Sequence, residues 1–232
     1  MPHNVPVPTG AAPILGFIPA LKDSGISPTT HRVISEGDFV VLHNTYENAQ
    51  AFGAETLVAF DVFRVQDGQV VEHWDNLQAL PAETVSGRSM TDGSTVIENQ
   101  DLTTENKALV ERFIADILQG GAPDRITVYV STETYLQHNP MVGDGLEGLN
   151  VALAAMAEAG QAMAYSRTHM VMAEGNFVFA ASEGTIDGSP TAFFDLFRVE
   201  NGKITEQWGK ADRARVAVKR RLLEMMSKGG SE

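Results

Sequence analysis

Residues 60–74 read FDVFRVQDGQVVEHW and residues 194–208 read FDLFRVENGKITEQW, identical at 8 of 15 positions. Each stretch alternates apolar and polar residues around an Asp67-Gly68 or Asn201-Gly202 pair. Such pairs are the strongest short-range hairpin signal, because both central positions of the tight turn need φ > 0. Working outward, His3-Asn4 with Gly10 matches His138-Asn139 with Gly145, and each is followed by an apolar run (13–22 and 146–158). The strand pair HRVISEGDFVV from His31 then matches HMVMAEGNFVF from His169. The same order of elements occurs twice at a spacing far above that of solenoid repeats, which predicts two like domains.

The expected class is α+β, with two curved antiparallel sheets of about four strands and helices packed beside them. The expected bounds are a first domain over 1–80 that lacks its opening helix, and a polar, turn-rich linker over 81–102. A complete second domain over 103–211 and a C-terminal helix and tail over 212–232 follow. The opening helix of the second copy is capped by Thr103 or Thr104, carries the stripe Leu109, Val110, Phe113, Ile114, Ile117 and Leu118, and ends at Gly120-Gly121 and Pro123. A sheet without its covering helix leaves apolar surface open. Either the C-terminal helix or a second chain, making a homodimer, is therefore expected to cover the first sheet.

A net charge of −13 opposes general nucleic-acid binding, which needs clustered Lys and Arg. The basic residues between Lys210 and Lys228 read as a solvated helix face. No apolar run approaches the ~20 residues that span a bilayer, and the N-terminus has no secretion signal. The absence of cysteine excludes disulfides and thiol catalysis and fits a cytoplasmic protein. The six histidines show no metal-ligand spacing, so no metal is expected, and neither a phosphate-binding glycine loop nor a G-x-S-x-G elbow is present.

A two-residue turn at Asp67-Gly68 with regular pairing sets Val62 opposite His73, Asp61 opposite Trp74 and Phe60 opposite Asp75. One face then carries Phe60, Val62, Arg64, Val71, His73, Asp75 and Leu77. Asp75 among apolar neighbours would have a raised pKa, as suits a carboxyl that takes and returns a proton, with His73 as a second proton carrier. The second copy has Gln207 and Gly209 at the matching places. Its Asp195 is expected to face Trp208 in a structural role, and Tyr135, Gln137, His138 and Asn139 to line a polar-tipped cavity.

The order helix, TYLQHNP (134–140), helix, sheet, and a hairpin ending EHWD (72–75) resembles the SnoaL-like branch of the nuclear transport factor 2-like superfamily, with its cystatin-like, cone-shaped α+β fold. The resemblance covers nearly all of 103–211 and about 2–80. It implies a cofactor-free enzyme that removes a proton next to a carbonyl, as polyketide cyclases and aldol-type enzymes do, acting on a small hydrophobic carbonyl compound. Carried over, Asp75 is the base, His73 its neighbour, and His3 and Asn4 donors to the enolate oxygen. Phe60, Val62, Arg64 and Gln207 would contact substrate. Two other readings stay open: a non-catalytic protein that binds a hydrophobic small molecule or dimerises, and an epoxide hydrolase.

Overall fold

The computed structural model describes residues 21–212, together with Gly16 and Pro19. His3, Asn4, most of the helix expected over 13–22 and the helix expected after 212 lie outside the described residues. Four strands, β1 (Ser27–Glu36), β2 (Phe39–Glu47), β3 (Thr56–Gln66) and β4 (Gln69–Ala79), form an antiparallel meander in sequence order. A second meander is built from β6 (Met163–Glu174), β7 (Phe177–Ile186), β8 (Ser189–Glu200) and β9 (Lys203–Asp212), with the short β5 (Leu136–Gln137) parallel to β9. The helices are α1 (Thr103–Phe113), which widens into a π turn over Ile114–Leu118, the single turn α2 (Ile126–Tyr129), and α3 (Gly145–Glu158). The fold is α+β.

Both predicted hairpin turns form, with Asp67 and Gly68 at φ 52° and 73° and Asn201 and Gly202 at 50° and 69°. The pairing beyond them differs from the regular ladder. Val65 still pairs with Val70, but Arg64 pairs with Glu72, so Val71 is bulged out and every later partner moves by one residue. The second hairpin repeats the bulge at Thr205, with Val199 opposite Ile204 and Arg198 opposite Glu206. A slip of one residue exchanges the two faces of a strand. Its physical reward is burial of the indole: Trp74 now shares the inward face with Phe60 and Val62, and Trp208 that of Phe194 and Leu196.

That inward face resolves the question of cover. Ile34, Val41, Phe60, Val62 and Trp74 of the first sheet pack directly on Met170, Met172, Phe177, Phe179, Phe194, Leu196 and Trp208 of the second, in one apolar core. The first sheet's apolar side is thus covered by the second sheet of the same chain, and neither a C-terminal helix nor a second chain is needed for it. The opposite face of the second sheet packs Val178, Phe197, Val199 and Ile204 against Val110, Phe113 and Ile114 of the opening helix, with Tyr129 and Tyr135. The layers are helix, sheet, sheet. Apolar burial on both sides of the second sheet explains why β7 and β8 read as nearly continuous hydrophobic runs.

The stretch 81–102 does not hang free. Arg32, buried in β1, donates to the carbonyls of Thr91 (3.0 Å), Asp92 (2.6 Å) and Ser94 (2.8 Å), and its guanidinium lies 4.1 Å from the Trp208 ring centroid. The Trp208 indole donates to the Asp92 carbonyl at 3.0 Å, and Met90 is fully buried. One cation therefore ties the first sheet, the connecting stretch and the second sheet together.

Candidate functional site

The residues expected on one face of β3 and β4 separate. Phe60 and Val62 are buried in the core between the sheets, whereas His73 and Asp75 stand on the outer face with Asp61, which pairs with Asp75. Arg64 pairs with Glu72 and donates to its carboxylate, on the side of the strand away from Asp75. The bulge at Val71 is the cause. Asp75 consequently lacks the apolar neighbours Phe60 and Val62 on which its expected reactivity rested.

The same slip moves Asp195 away from Trp208 and opposite Gly209. Asp195 is buried, with a hydroxyl donated by Tyr165 at 3.0 Å and an amide by Gln207 Nε2 at 3.2 Å. Gln207 is oriented in turn: its Oε1 accepts from Tyr135 and, at 3.0 Å, from Gln137 Nε2. With the oxygen end fixed by two donors, the amide nitrogen points at Asp195. Tyr165 is held by stacking on Phe193, ring centroids 4.1 Å apart. Burial pushes the Asp195 carboxyl up to about 7 against the opposing hydrogen bonds from Tyr165 and Gln207. Burial, with the nearby Asp195 charge, also holds Tyr165 and Tyr135 above their ordinary range.

Tyr135, Gln137 and Gln207 thus come together as a polar group, although around Asp195. His138 does not join them. It lies on the other side of β9, stacked on Trp208 at 4.6 Å, between the Ser89 carbonyl (2.8 Å) and Glu206 (2.8 Å). Asn139 approaches the group: a Cβ built on Gly209 would lie 3.7 Å from its Nδ2 and 2.8 Å from Asp195 Oδ1. Gly209 therefore makes room for the carboxyl it faces.

Sequence reasoning missed Tyr165 and undervalued Asp195. A usable signal was present: Asp195 is the lone charge within Phe193-Phe194-Asp195-Leu196-Phe197, where desolvation is expected of any carboxylate. Two surface hollows, of about 550 and 450 Å³, lie elsewhere: one beside Lys107, Gln119 and Arg167, the other beside Val85, Met141 and Val151. Neither is lined by Asp195. Among the described residues, no three His, Cys, Asp or Glu side chains converge as a metal ion would require, and no helix is long and apolar enough to cross a membrane.

Residues 110–207 match the family described as SnoaL-like domain. No curated protein matches the chain. Among solved structures, a cystatin-like protein from Xanthomonas campestris is 26% identical over 47% of this chain and 92% of its own, with a TM-score of 0.40. A SnoaL-like polyketide cyclase from Agrobacterium tumefaciens is 15% identical over 50% and 97%, with a TM-score of 0.37. An LEH-like epoxide hydrolase from M. tuberculosis is 21% identical over 53% and 96%, also at 0.37. The stretch that matches the SnoaL-like domain, 110–207, holds α3, the second meander as far as Gln207 and the Asp195 group.

Proposed function

We propose that this protein catalyses cofactor-independent proton transfer on a small apolar carbonyl compound, with Asp195 as the group that takes and returns the proton. The observation that carries this reading is the state of Asp195: buried, held from both oxygens, and with its pKa raised to about 7. A carboxyl poised there is part ionised at neutral pH and gives up a captured proton as readily as it takes one. Removal of a proton α to a carbonyl moves an electron pair onto the carbonyl oxygen; once Asp195 has taken that proton it no longer needs the Tyr165 hydroxyl hydrogen, which is then free to turn to that oxygen. Reprotonation at carbon returns the keto form, whereas attack of the enolate on a second carbonyl closes a ring, as an aldol cyclase requires. Tyr165 and Gln207, the direct partners of Asp195, are both half-buried.

The test is hydrogen–deuterium exchange at the α-carbon of small apolar ketones and β-diketones, followed by NMR. Wild type should exchange them faster than buffer, with a rising pH limb near 7, and Asp195→Asn should lose at least a hundredfold while melting as a folded protein. Unchanged exchange in Asp195→Asn would sink the assignment. A second reading is favoured by the hydrogen bonds that already occupy both oxygens of Asp195: the group binds a hydrophobic carbonyl ligand without turning it over. Retention of such a ligand in native mass spectrometry, with no exchange above buffer, would select that reading.

A further inference from the structure

The outer face of the first sheet carries a second, chemically different arrangement at the places matching Asp195 and Gln207. Asp61 is buried to 3% exposure and accepts three hydrogen bonds: from Asn44 Nδ2 at 2.8 Å, from the Tyr46 hydroxyl at 2.8 Å, and from His73 Nε2 at 3.0 Å. An acceptor held by three donors cannot swing away, so it fixes the imidazole. The neutral ring must keep its proton on Nε2, facing Asp61, which leaves Nδ1 as the basic nitrogen. The ring plane is fixed as well, stacked on Phe63 at 4.4 Å and 7°. The His73 side chain nevertheless remains 35% exposed. In the second sheet the equivalent group is an amide, and the aspartate there is enclosed.

We propose that Asp61 and His73 form a second active site, in which His73 draws a proton from water for the hydrolysis of small apolar esters. Water oxygen attacks the ester carbonyl carbon while Nδ1 takes the water proton. Asp61 stabilises the imidazolium through the Nε2 hydrogen bond. The tetrahedral adduct then expels the alkoxide, which recovers the proton from Nδ1–H, leaving a carboxylic acid and an alcohol. Phe63 and Leu77, half-buried on the same face, supply apolar contact for the acyl group. Although burial of the ring opposes its charged form, the hydrogen bond and charge of Asp61, with the charge of Asp75, raise its pKa, which makes His73 a stronger base than free imidazole.

The probe is p-nitrophenyl acetate, with free imidazole at six times the protein concentration as the reference for the six histidines. Wild type should exceed that reference at least tenfold. His73→Gln, which installs the residue the second sheet uses at this place, should fall to it with an unchanged melting temperature. Asp61→Asn should lose about tenfold and shift the pH midpoint of hydrolysis downward, because the imidazolium loses its counter-charge. If His73→Gln hydrolyses the ester as wild type does, or wild type does not exceed imidazole, the second site does not exist. Long-range ¹⁵N–¹H NMR of the histidine rings provides a readout apart from turnover. A neutral His73 protonated on Nδ1 would also overturn the proposal.

Discussion

Asp195 and Gly209 are cross-strand partners, and the carboxyl of the first occupies the space a side chain on the second would need. In the first sheet the matching pair is Asp61 and Asp75, two acids in the same register, with His73 hydrogen-bonded to Asp61. Both sheets give their buried aspartate an amide and a phenol as donors; the first adds a histidine, and the second sets a glycine opposite it. Gly209→Ala places a methyl group 2.8 Å from Asp195 Oδ1, closer than packed atoms allow. The variant should lose about 1–3 kcal/mol in chemical denaturation, as overpacking does. It should also lose α-proton exchange out of proportion to that loss, because the displaced carboxyl parts from Tyr165 and Gln207.

The raised pKa of Asp195 has a sign that can be measured. An unfolded aspartate ionises near pH ~4, whereas the folded one keeps its proton to about 7. Between these values the unfolded chain binds fewer protons, so this residue's contribution to stability is complete at low pH and is lost as pH rises through 7. The span corresponds to a contribution on the order of 4 kcal/mol. Asp195→Asn has no proton to lose. Its melting temperature relative to wild type should therefore climb from pH 4 to about 7 and level off above it, and a flat difference throughout would show that the carboxyl ionises normally in the folded state.

The hairpin turns, the meander order and the helix that covers the second sheet were all legible, because Asp-Gly, Asn-Gly and the Leu109–Leu118 stripe are local signals. The register was not. A bulge at Val71 or Thr205 leaves no mark in composition, and it is set by where Trp74 and Trp208 find cover, which depends on a sheet more than a hundred residues away. That single slip moved Asp75 off the face of Phe60 and took Asp195 away from Trp208. The cover itself was hidden for a related reason. Phe60 and Val62 show that a face must be buried, but nothing local shows that Phe179 and Phe194 bury it.

Lys210 is the costliest residue in that shared core. It is 2% exposed, its Nζ lies 4.8 Å from the centroid of Phe60, and the amine makes no hydrogen bond with the protein. Burial drives its pKa well below the ordinary lysine range, opposed only by the charge of Asp61. For a depressed lysine the unfolded chain binds the extra proton, so stability is lost as pH falls through the unfolded value toward the folded one. Lys210→Met keeps the length and removes the amine. The variant should gain about 1–3 kcal/mol at neutral pH, and its advantage over wild type should shrink as the pH is raised toward 10.

Arg32 presents the opposite case, a buried cation with its donors well occupied. Burial lowers its pKa to about 10, against the charges of Glu206 and Asp92, so it remains charged at neutral pH. Besides the carbonyls of Thr91, Asp92 and Ser94, it meets His43 Nδ1 at 3.1 Å and stacks over Trp208. Arg32→Ala leaves the Thr91 and Ser94 carbonyls without this donor and removes the positive charge from beside Asp92 and Glu206, and should cost about 3–5 kcal/mol. Arg32→Lys keeps the charge but loses the fork and the stacked plane, and should recover little of it. Because the guanidinium joins both sheets through residues 91–94, the effect should be visible in hydrogen exchange as lost protection over that stretch and over Trp208. Protection should be retained in the α1 helix, whose contacts lie on the far side of the second sheet. Uniform loss of protection across the chain would mean that Arg32 supports global stability without acting as the clamp between the sheets.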